Sequence, residues 1–400
     1  MKVAVLGFGE LGQTVWEHLG FPPGNDADDL ERGLVLVPQG TADAPFQVTE
    51  LEDVLRDESI GAVADCLDDP ALAYDCAVRV LESGKHFVTA DRVLVEEHGI
   101  ELNHLARDMR AAFLFGGAFS GDTVSVLSFV RKWITYGKNK TVILHSADNY
   151  ILWSIQRYGK TFSEALKEVH LLGCTEEQIA DAVSGTDALW NVKLSCAVGY
   201  KRYPTEGTLC EGIESFTEAD ARSLASLGLI CILTGCCGRQ RFFFKARGVR
   251  GDGVFTYAVV EPTLYYEKNL DTNSIESGIF GLDGEITGGS AISSEKQFSI
   301  IASTASSVVR DLLSITQGKR NALEWYCKRG AVNNPGLNQR YYVRCRFGAS
   351  LRLKIEKRFD SKRGVSRVLT KPMKSTEMHA FAAKRRAKGE QIFFAVWDCE

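Results

Sequence analysis

No run of about 18 apolar residues, the length a helical membrane span needs, occurs anywhere in this 400-residue chain. The opening Met1-Lys2-Val3-Ala4-Val5-Leu6 is apolar but is cut off at once by glycines, so it reads as a strand and not as an export signal or anchor. There is no CxxC pair among the eleven cysteines, and the adjacent Cys236-Cys237 lacks metal-ligand spacing. These absences exclude a disulfide scaffold and a cysteine-based zinc site, and the thiols are expected to be reduced in a cytoplasmic protein. Internal repeats and low-complexity tracts are also missing. What is present is apolar material for two or three domains of about 100–200 residues each. The net charge of −4 conceals an asymmetry: from residue 339 onward sixteen basic residues face six acidic ones. Such a segment suits an anionic effector, a partner subunit or nucleic acid, or is simply the solvated face of a small α/β module.

Over residues 1–125 apolar strand-like runs alternate with helical patterns, the pattern of a parallel sheet with crossover helices. Strands are expected at Met1–Leu6, Gly33–Val37, Gly61–Cys66, His86–Thr89 and Ala112–Phe115, with helices at Ala71–Ser83 and Val93–Arg110. Beyond Gly121 the pattern becomes α+β. Strands Thr141–Leu144 and Phe242–Ala246 mix with helices Phe162–Leu172, Thr186–Tyr200, Thr217–Leu227 and Ala302–Leu313. Thr217 with Asp220 forms a capping signature. Gly330–Gly336 is the linker candidate, and the tail reads strand Tyr341–Phe347, helix Leu351–Phe359, strand Val365–Thr370, helix Thr376–Ala387, strand Gln391–Trp397.

Gly7-Phe8-Gly9-Glu10-Leu11-Gly12 is a GxGxxG run that leaves an apolar strand and opens a helix. In that context it is a dinucleotide-binding fingerprint. Gly7 permits the tight turn, Gly9 lets backbone amides approach a pyrophosphate, and Gly12 lets helix and strand pack closely. The helix N-terminus adds its positive dipole end. The second strand ends Val35-Leu36-Val37-Pro38-Gln39, with neither an acid for ribose hydroxyls nor an arginine for a 2′-phosphate, so NAD and NADP both stay open.

Several later segments, in register, resemble homoserine dehydrogenases. Gly84-Lys85-His86-Phe87-Val88-Thr89-Ala90-Asp91-Arg92 is similar to that family's GKHVVTANK segment, and Asn149-Tyr150-Ile151-Leu152 to the end of NGTTNYIL. Phe162–Leu166 resembles FxEAL. Gly173-Cys174-Thr175-Glu176, Asp181, Gly185 and Asp187 keep the order of GYxE…D…GxD. Gly212-Ile213 with Phe216–Asp220, Val260-Glu261-Pro262, and Thr304–Leu312 (TASSVVRDL) complete a likeness spanning roughly residues 1–318. The resemblance implies three parts: a Rossmann (doubly wound) domain at 1–125, onto which helix 302–318 packs back; an α+β substrate and dimerisation domain at 126–301; and a small basic ACT-like α/β module at 338–400. It implies an NAD(P)-dependent oxidoreductase of amino-acid biosynthesis that passes hydride between nicotinamide and a small amino-acid alcohol or semialdehyde. A homodimer or tetramer is expected, without a nucleic-acid or membrane partner.

By the same resemblance Gly7, Phe8, Gly9, Glu10, Leu11, Gly12, Cys66, Leu67 and Thr89 would hold the coenzyme, and Glu176 and Asp187 would hold the substrate's amino group and order the proton path. The family's lysines are replaced, by Arg92 and by Asn191, one helical turn after Asp187. Lys193 lies about 200° around the helix from Asn191 and is not a substitute in place. Arginine can polarise a carbonyl or grip a carboxylate but does not give up a proton near neutral pH. His145 is therefore the candidate for the displaced acid–base role, with Asp148 a neighbouring carboxylate or a loop cap. Gly116-Gly117-Ala118-Phe119 stands where the family has EAxV, so no metal site is expected, and Gln297–Ser303 replaces the GxGAG loop. The altered positions leave two alternatives: a non-catalytic dinucleotide-binding sensor or subunit, and an NAD-using lyase or isomerase with no net redox change.

Overall fold

The computed structural model describes residues 1–19, 30–37, 44–118, 140–144, 146–171, 174–200, 202–246, 249–269, 280–282, 300–318, 328–330, 332, 334, 337–346, 353–362 and 364–399. His145, Phe119, Pro38-Gln39 and the 297–299 part of the replaced loop lie outside them. The chain divides into two compact units: Met1–Ser128 with Phe298–Trp325, and Phe129–Gln297 with Tyr326–Glu400.

In the first unit, strands β1 (Lys2–Leu6), β2 (Glu31–Leu36), β3 (Gln47–Val48), β4 (Ile60–Asp65), β5 (His86–Thr89) and β6 (Phe113–Leu114) form one sheet in the order β3-β2-β1-β4-β5-β6. All its pairings are parallel. Such strands are buried on both faces, which is why they read as near-continuous Val, Ala and Leu runs instead of alternating. The connections are α1 (Glu10–His18), α2 (Leu51–Arg56), α3 (Pro70–Glu82) and α4 (Arg92–Asp108). α3 starts on an Asp69 side chain that accepts from Ala71 N and Leu72 N, with Pro70 in the first turn; Asp91 caps α4 through Leu94 N. The order is that of the doubly wound Rossmann sheet, whose direction of winding reverses between β1 and β4 and opens a crevice at their carboxyl ends.

The unit's last helix, Ile300–Thr316 (α10 below), puts Ala305, Val308, Val309, Leu312 and Ile315 in the same core as Val3, Val5, Val15 and Trp16. Glycine is required where it passes Gly116–Ala118. A Cβ on Gly117 would stand 2.6 Å from Val308 and 3.1 Å from Ala90, and Gly116 N donates to Asp311 at 2.6 Å.

The second unit holds α5 (Ser146–Tyr158), α6 (Phe162–Leu171), α7 (Glu176–Ser184), α8 (Thr186–Tyr200) and α9 (Glu218–Ala225), with α10 belonging to the first unit and α11 (Ser375–Arg386) following near the end. Its strands are β7 (Lys140–Leu144), β8 (Arg202–Pro204), β9 (Leu209–Cys210), β10 (Leu229–Ala246), β11 (Val249–Tyr266), β12 (Phe280–Leu282), β13 (Lys328–Gly330), β14 (Asn338–Gln339), β15 (Tyr341–Arg346), β16 (Ile355–Lys362), β17 (Val365–Thr370), β18 (Met373–Lys374) and β19 (Ile392–Trp397). The main sheet runs β12-β7-β10-β11-β19-β15-β17-β16, centred on the long antiparallel pair β10 and β11. α8 buries Ala188, Trp190, Val192, Leu194, Cys196 and Ala197, so residues all around it are enclosed.

The C-terminal segment continues this sheet, because β19 pairs in parallel with β11 at Thr263↔Val396 and Leu264↔Trp397. One expectation is corrected here. The helix expected at Leu351–Phe359 is instead strand β16 from Ile355, since Leu351, Leu353 and Ile355 alternate with charged residues at period two. Within the linker candidate Gly330–Gly336, of which residues 331, 333, 335 and 336 lie outside the described residues, Asn334 is fully buried, its Nδ2 donating to Ala258 O at 2.8 Å and its Oδ1 accepting from Ala258 N at 2.9 Å.

Three buried acids join the basic segment to the rest of its unit. Asp220 meets Arg344 Nε at 2.8 Å, Glu211 takes a forked pair from Arg386, and Glu261 accepts from Tyr341 Oη and meets His379 Nε2, each at 2.9 Å. Burial holds the Asp220 and Glu211 carboxyls above their ordinary range against the pull of those arginines. Part of the tail's positive charge is therefore spent inside its own unit.

Candidate active site

The fingerprint residues lie at the carboxyl end of β1. Gly7 has φ +84°, and a Cβ there would stand 2.5 Å from Cys66 O; a Cβ on Gly12 would stand 2.2 Å from Gly7 O. Both glycines are demanded by backbone approach. Gly9 differs, because the nearest atom to a Cβ at that position is Asp68 Oδ2, 3.8 Å away. This glycine leaves room that the protein itself does not fill. No side chain caps the amides of α1 at Gly9, so its N-terminus offers the donors and dipole that favour an anion. Phe8 and Leu11 pack against the core, while Glu10 is exposed in the first turn. A backbone cradle, open at Gly9 and set at the sheet's switch point, fits a dinucleotide pyrophosphate.

Across the crevice, β4 brings Cys66 and Leu67 against this turn, with Cys66 N donating to Leu6 O at 2.8 Å. Burial pushes the Cys66 thiol well up, so it serves packing and not nucleophilic chemistry. Thr89, expected at the coenzyme, stands at the end of β5. It is fully buried, and its hydroxyl donates to Asp65 Oδ2 at 2.7 Å while accepting from Asp91 N at 2.9 Å. Asp65 also accepts from Leu67 N at 3.1 Å, and burial pushes its carboxyl up to about 7. Arg92 opens α4 directly after the Asp91 cap and is partly exposed.

In the second unit, Thr175 and Gln178 form a reciprocal capping box that starts α7, which places Glu176 at an exposed first-turn position. Gly185, with φ +79°, ends α7 and lets α8 begin at once; a Cβ there would stand 3.1 Å from Cys210 Sγ. Asp187 is half-buried in the first turn of α8. Its charge helps burial push the Cys174 thiol up to about 11, so the turn before Glu176 and the start of α8 are neighbours. Asn191 is buried. Its Nδ2 donates to Asp187 O at 3.2 Å, and its Oδ1 finds no hydrogen-bond partner among the described residues. Lys193 is half-buried near Cys210, away from the Asp187 and Asn191 stripe.

Asp148 lies inside the first turn of α5, buried, with Oδ1 accepting from Asn149 N at 2.6 Å, and is not on a loop. Sequence reasoning missed the roles of Asn149 and Gln156. Asn149 exchanges hydrogen bonds with Leu233 N and O at 2.7 and 3.0 Å, and Gln156 does the same with Cys231 at 2.8 and 2.9 Å. Two amides seven positions apart on one face of α5, beside the buried Ile151, Leu152 and Ile155, thus continue the ladder of β10 beyond the residues that β7 pairs. The spacing of amides on an apolar face was the available signal.

Residues 138–313 match the homoserine dehydrogenase family. A homoserine dehydrogenase from Pseudomonas aeruginosa is 25% identical over 331 residues, covering 79% of this chain and 72% of that protein. The crystal structure of a homoserine dehydrogenase from Thiobacillus denitrificans superposes with a TM-score of 0.74 at 20% identity, over 100% of this chain and 98% of that one. A hyperthermophilic archaeal homoserine dehydrogenase in complex with NADPH has a TM-score of 0.53 at 17% identity, over 80% of this chain and 99% of that one. The likeness to homoserine dehydrogenase structures matches the Rossmann sheet joined to a mixed-sheet unit. Compared with the family segments that the sequence resembles, this chain keeps the Gly7–Gly12 fingerprint whole and carries Arg92 and Asn191 where lysines were expected.

Proposed function

We propose that this chain is an NAD(P)-dependent oxidoreductase that interconverts homoserine, or a closely related amino-acid alcohol, and the matching semialdehyde. The observation that carries the reading is the Gly7–Gly12 turn, an uncapped helix start open at Gly9, in a chain whose residues 138–313 match the homoserine dehydrogenase family. The bound coenzyme supplies the hydride chemistry. The first unit's residues contribute backbone amides for the phosphates and a stiff crevice wall from Cys66 and Leu67.

On the second unit, the Asp187 carboxylate holds the substrate ammonium, with Glu176 as the outer acid. The buried Asn191 Oδ1 accepts a hydrogen bond from a substrate N–H or O–H, which satisfies an acceptor that burial otherwise leaves costly. Neither Asn191 nor Arg92 can exchange a proton near neutral pH, so Arg92 polarises or grips and does not act as base. His145 is the acid–base candidate. Because swapped polar groups in a buried site discriminate strongly, the substrate is expected to differ from homoserine in the group that Asn191 meets, or homoserine turns over slowly. The replaced lysines also favour a second reading, a coenzyme-binding subunit without turnover.

Purified protein supplied with homoserine, related amino alcohols and their semialdehydes, with each coenzyme, is expected to change NAD(P)H absorbance. Coenzyme binding with no absorbance change across the panel would favour the second reading. No change together with conversion of substrate would indicate an internal hydride cycle.

A further inference from the structure

Asp65 is a charge-bearing side chain that the function proposed above does not use, and it sits at the carboxyl end of β4, beside the crevice between β1 and β4. It is 1% exposed, and both of its oxygens are committed. Oδ1 takes Leu67 N, in the turn that faces Gly7, and Oδ2 takes the Thr89 hydroxyl. Thr89 in turn takes Asp91 N, and Asp91 caps the helix that Arg92 opens. One carboxylate therefore fixes the end of β4 and, through a relay of hydroxyl and amide, the end of β5. We propose that Asp65 is the positioning residue of the dinucleotide site, holding the 66–68 and 90–92 segments in the arrangement the coenzyme requires.

The inference rests on the coenzyme reading above. The relay has a direction: Asp91 N donates to Thr89, and Thr89 donates to Asp65. A proton on Asp65 Oδ2 would need an acceptor where Thr89 now donates, so protonation reverses or breaks the relay. The groups facing Asp65 reinforce this sensitivity. Asp91 and Asp68 are acids, Cys66 and Cys76 are thiols held neutral by burial, and desolvation already pushes Asp65 up to about 7. Asp311 on α10 is taken up by Gly116 N. The crevice is expected to be well formed on the alkaline side of neutrality and loosened on the acid side.

The test is NADH binding, read by the fluorescence of the reduced coenzyme, for the wild type, Asp65→Asn and Thr89→Val from about pH 6 to about pH 8.5. NADH has no group of its own titrating there, and the readout does not need turnover. Wild-type affinity is expected to rise several-fold with pH, centred near 7. In Asp65→Asn the rise disappears and affinity stays at the weak level. In Thr89→Val, where a donor to the carboxylate is lost, the midpoint moves up. A flat wild-type profile, or tighter binding in acid, overturns the positioning role while leaving the coenzyme reading intact. Wild-type protein that binds neither NADH nor NADPH at any pH overturns the coenzyme reading, and this inference with it. If Asp65→Asn does not fold, the wild-type profile and the Thr89→Val midpoint still decide.

Discussion

The crevice of the first unit and the seam that joins the C-terminal segment to the second unit are built from opposite materials. The crevice is made of backbone, with Gly7 and Gly12 in close backbone contact, strand ends pairing N–H to C=O, and the buried Asp65 carboxylate beneath. The seam is made of charge. Asp220 with Arg344, Glu211 with Arg386, and Glu261 with His379 and Tyr341 are all buried acids meeting residues far along the chain. A backbone site tolerates little change at its glycines and much elsewhere. A charge seam stands or falls on pairs, because removing one partner strands the other without water.

That contrast is open to direct attack. The largest effect is expected at the seam, where Arg344→Ala removes the cation that meets Asp220 Oδ1, on a side chain with no exposure. A loss of about 3–5 kcal/mol in urea unfolding is predicted. A loss under about 1 kcal/mol would mean that the seam is ornamental. Next comes pH. Burial raises the Asp65 carboxyl from 3.8 to about 7, so over that window the folded chain keeps a proton that the unfolded chain has released. This contribution to stability is complete below the unfolded value and is lost as pH rises through about 7. Asp65→Asn should therefore flatten the stability profile between about pH 5 and about pH 8, by about 2–3 kcal/mol; an unchanged slope would remove Asp65 from the account. The smallest of the three lies within the second unit, at a site made neither of glycine nor of charge. Asn149→Ala orphans the Leu233 N–H and C=O, for a predicted cost of about 1–3 kcal/mol in thermal or urea unfolding.

The same contrast explains what could be read without coordinates. The parallel sheet was legible because doubly buried strands are apolar throughout, and the Gly7–Gly12 turn because close backbone approach admits only glycine. The capping box at Thr217 and Asp220 was equally local. What escaped was long-range or ambiguous in period. Glu261 and His379 are separated by 118 positions and Glu211 and Arg386 by 175, and neither spacing leaves a trace in a single sequence. β16 was taken for a helix because its charged residues hid a period of two. Asp187 and Asn191 were placed one turn apart by helix geometry alone, and they stand so on α8. The burial of Asn191 was not foreseen, because α8 is enclosed all around by residues from elsewhere in its unit.

The central claim is that a nicotinamide dinucleotide lies over the glycine turn, and Gly9 is where it can be tested without disturbing the fold. A Cβ there meets nothing nearer than the Asp68 carboxylate at 3.8 Å, so Gly9→Val should fold as the wild type does while filling the space meant for the phosphates. Titration with NADH and NADPH is predicted to show saturable binding of at least one coenzyme by the wild type, and loss of that binding in a folded Gly9→Val variant. Equal binding by both proteins, or none by the wild type, would contradict the account.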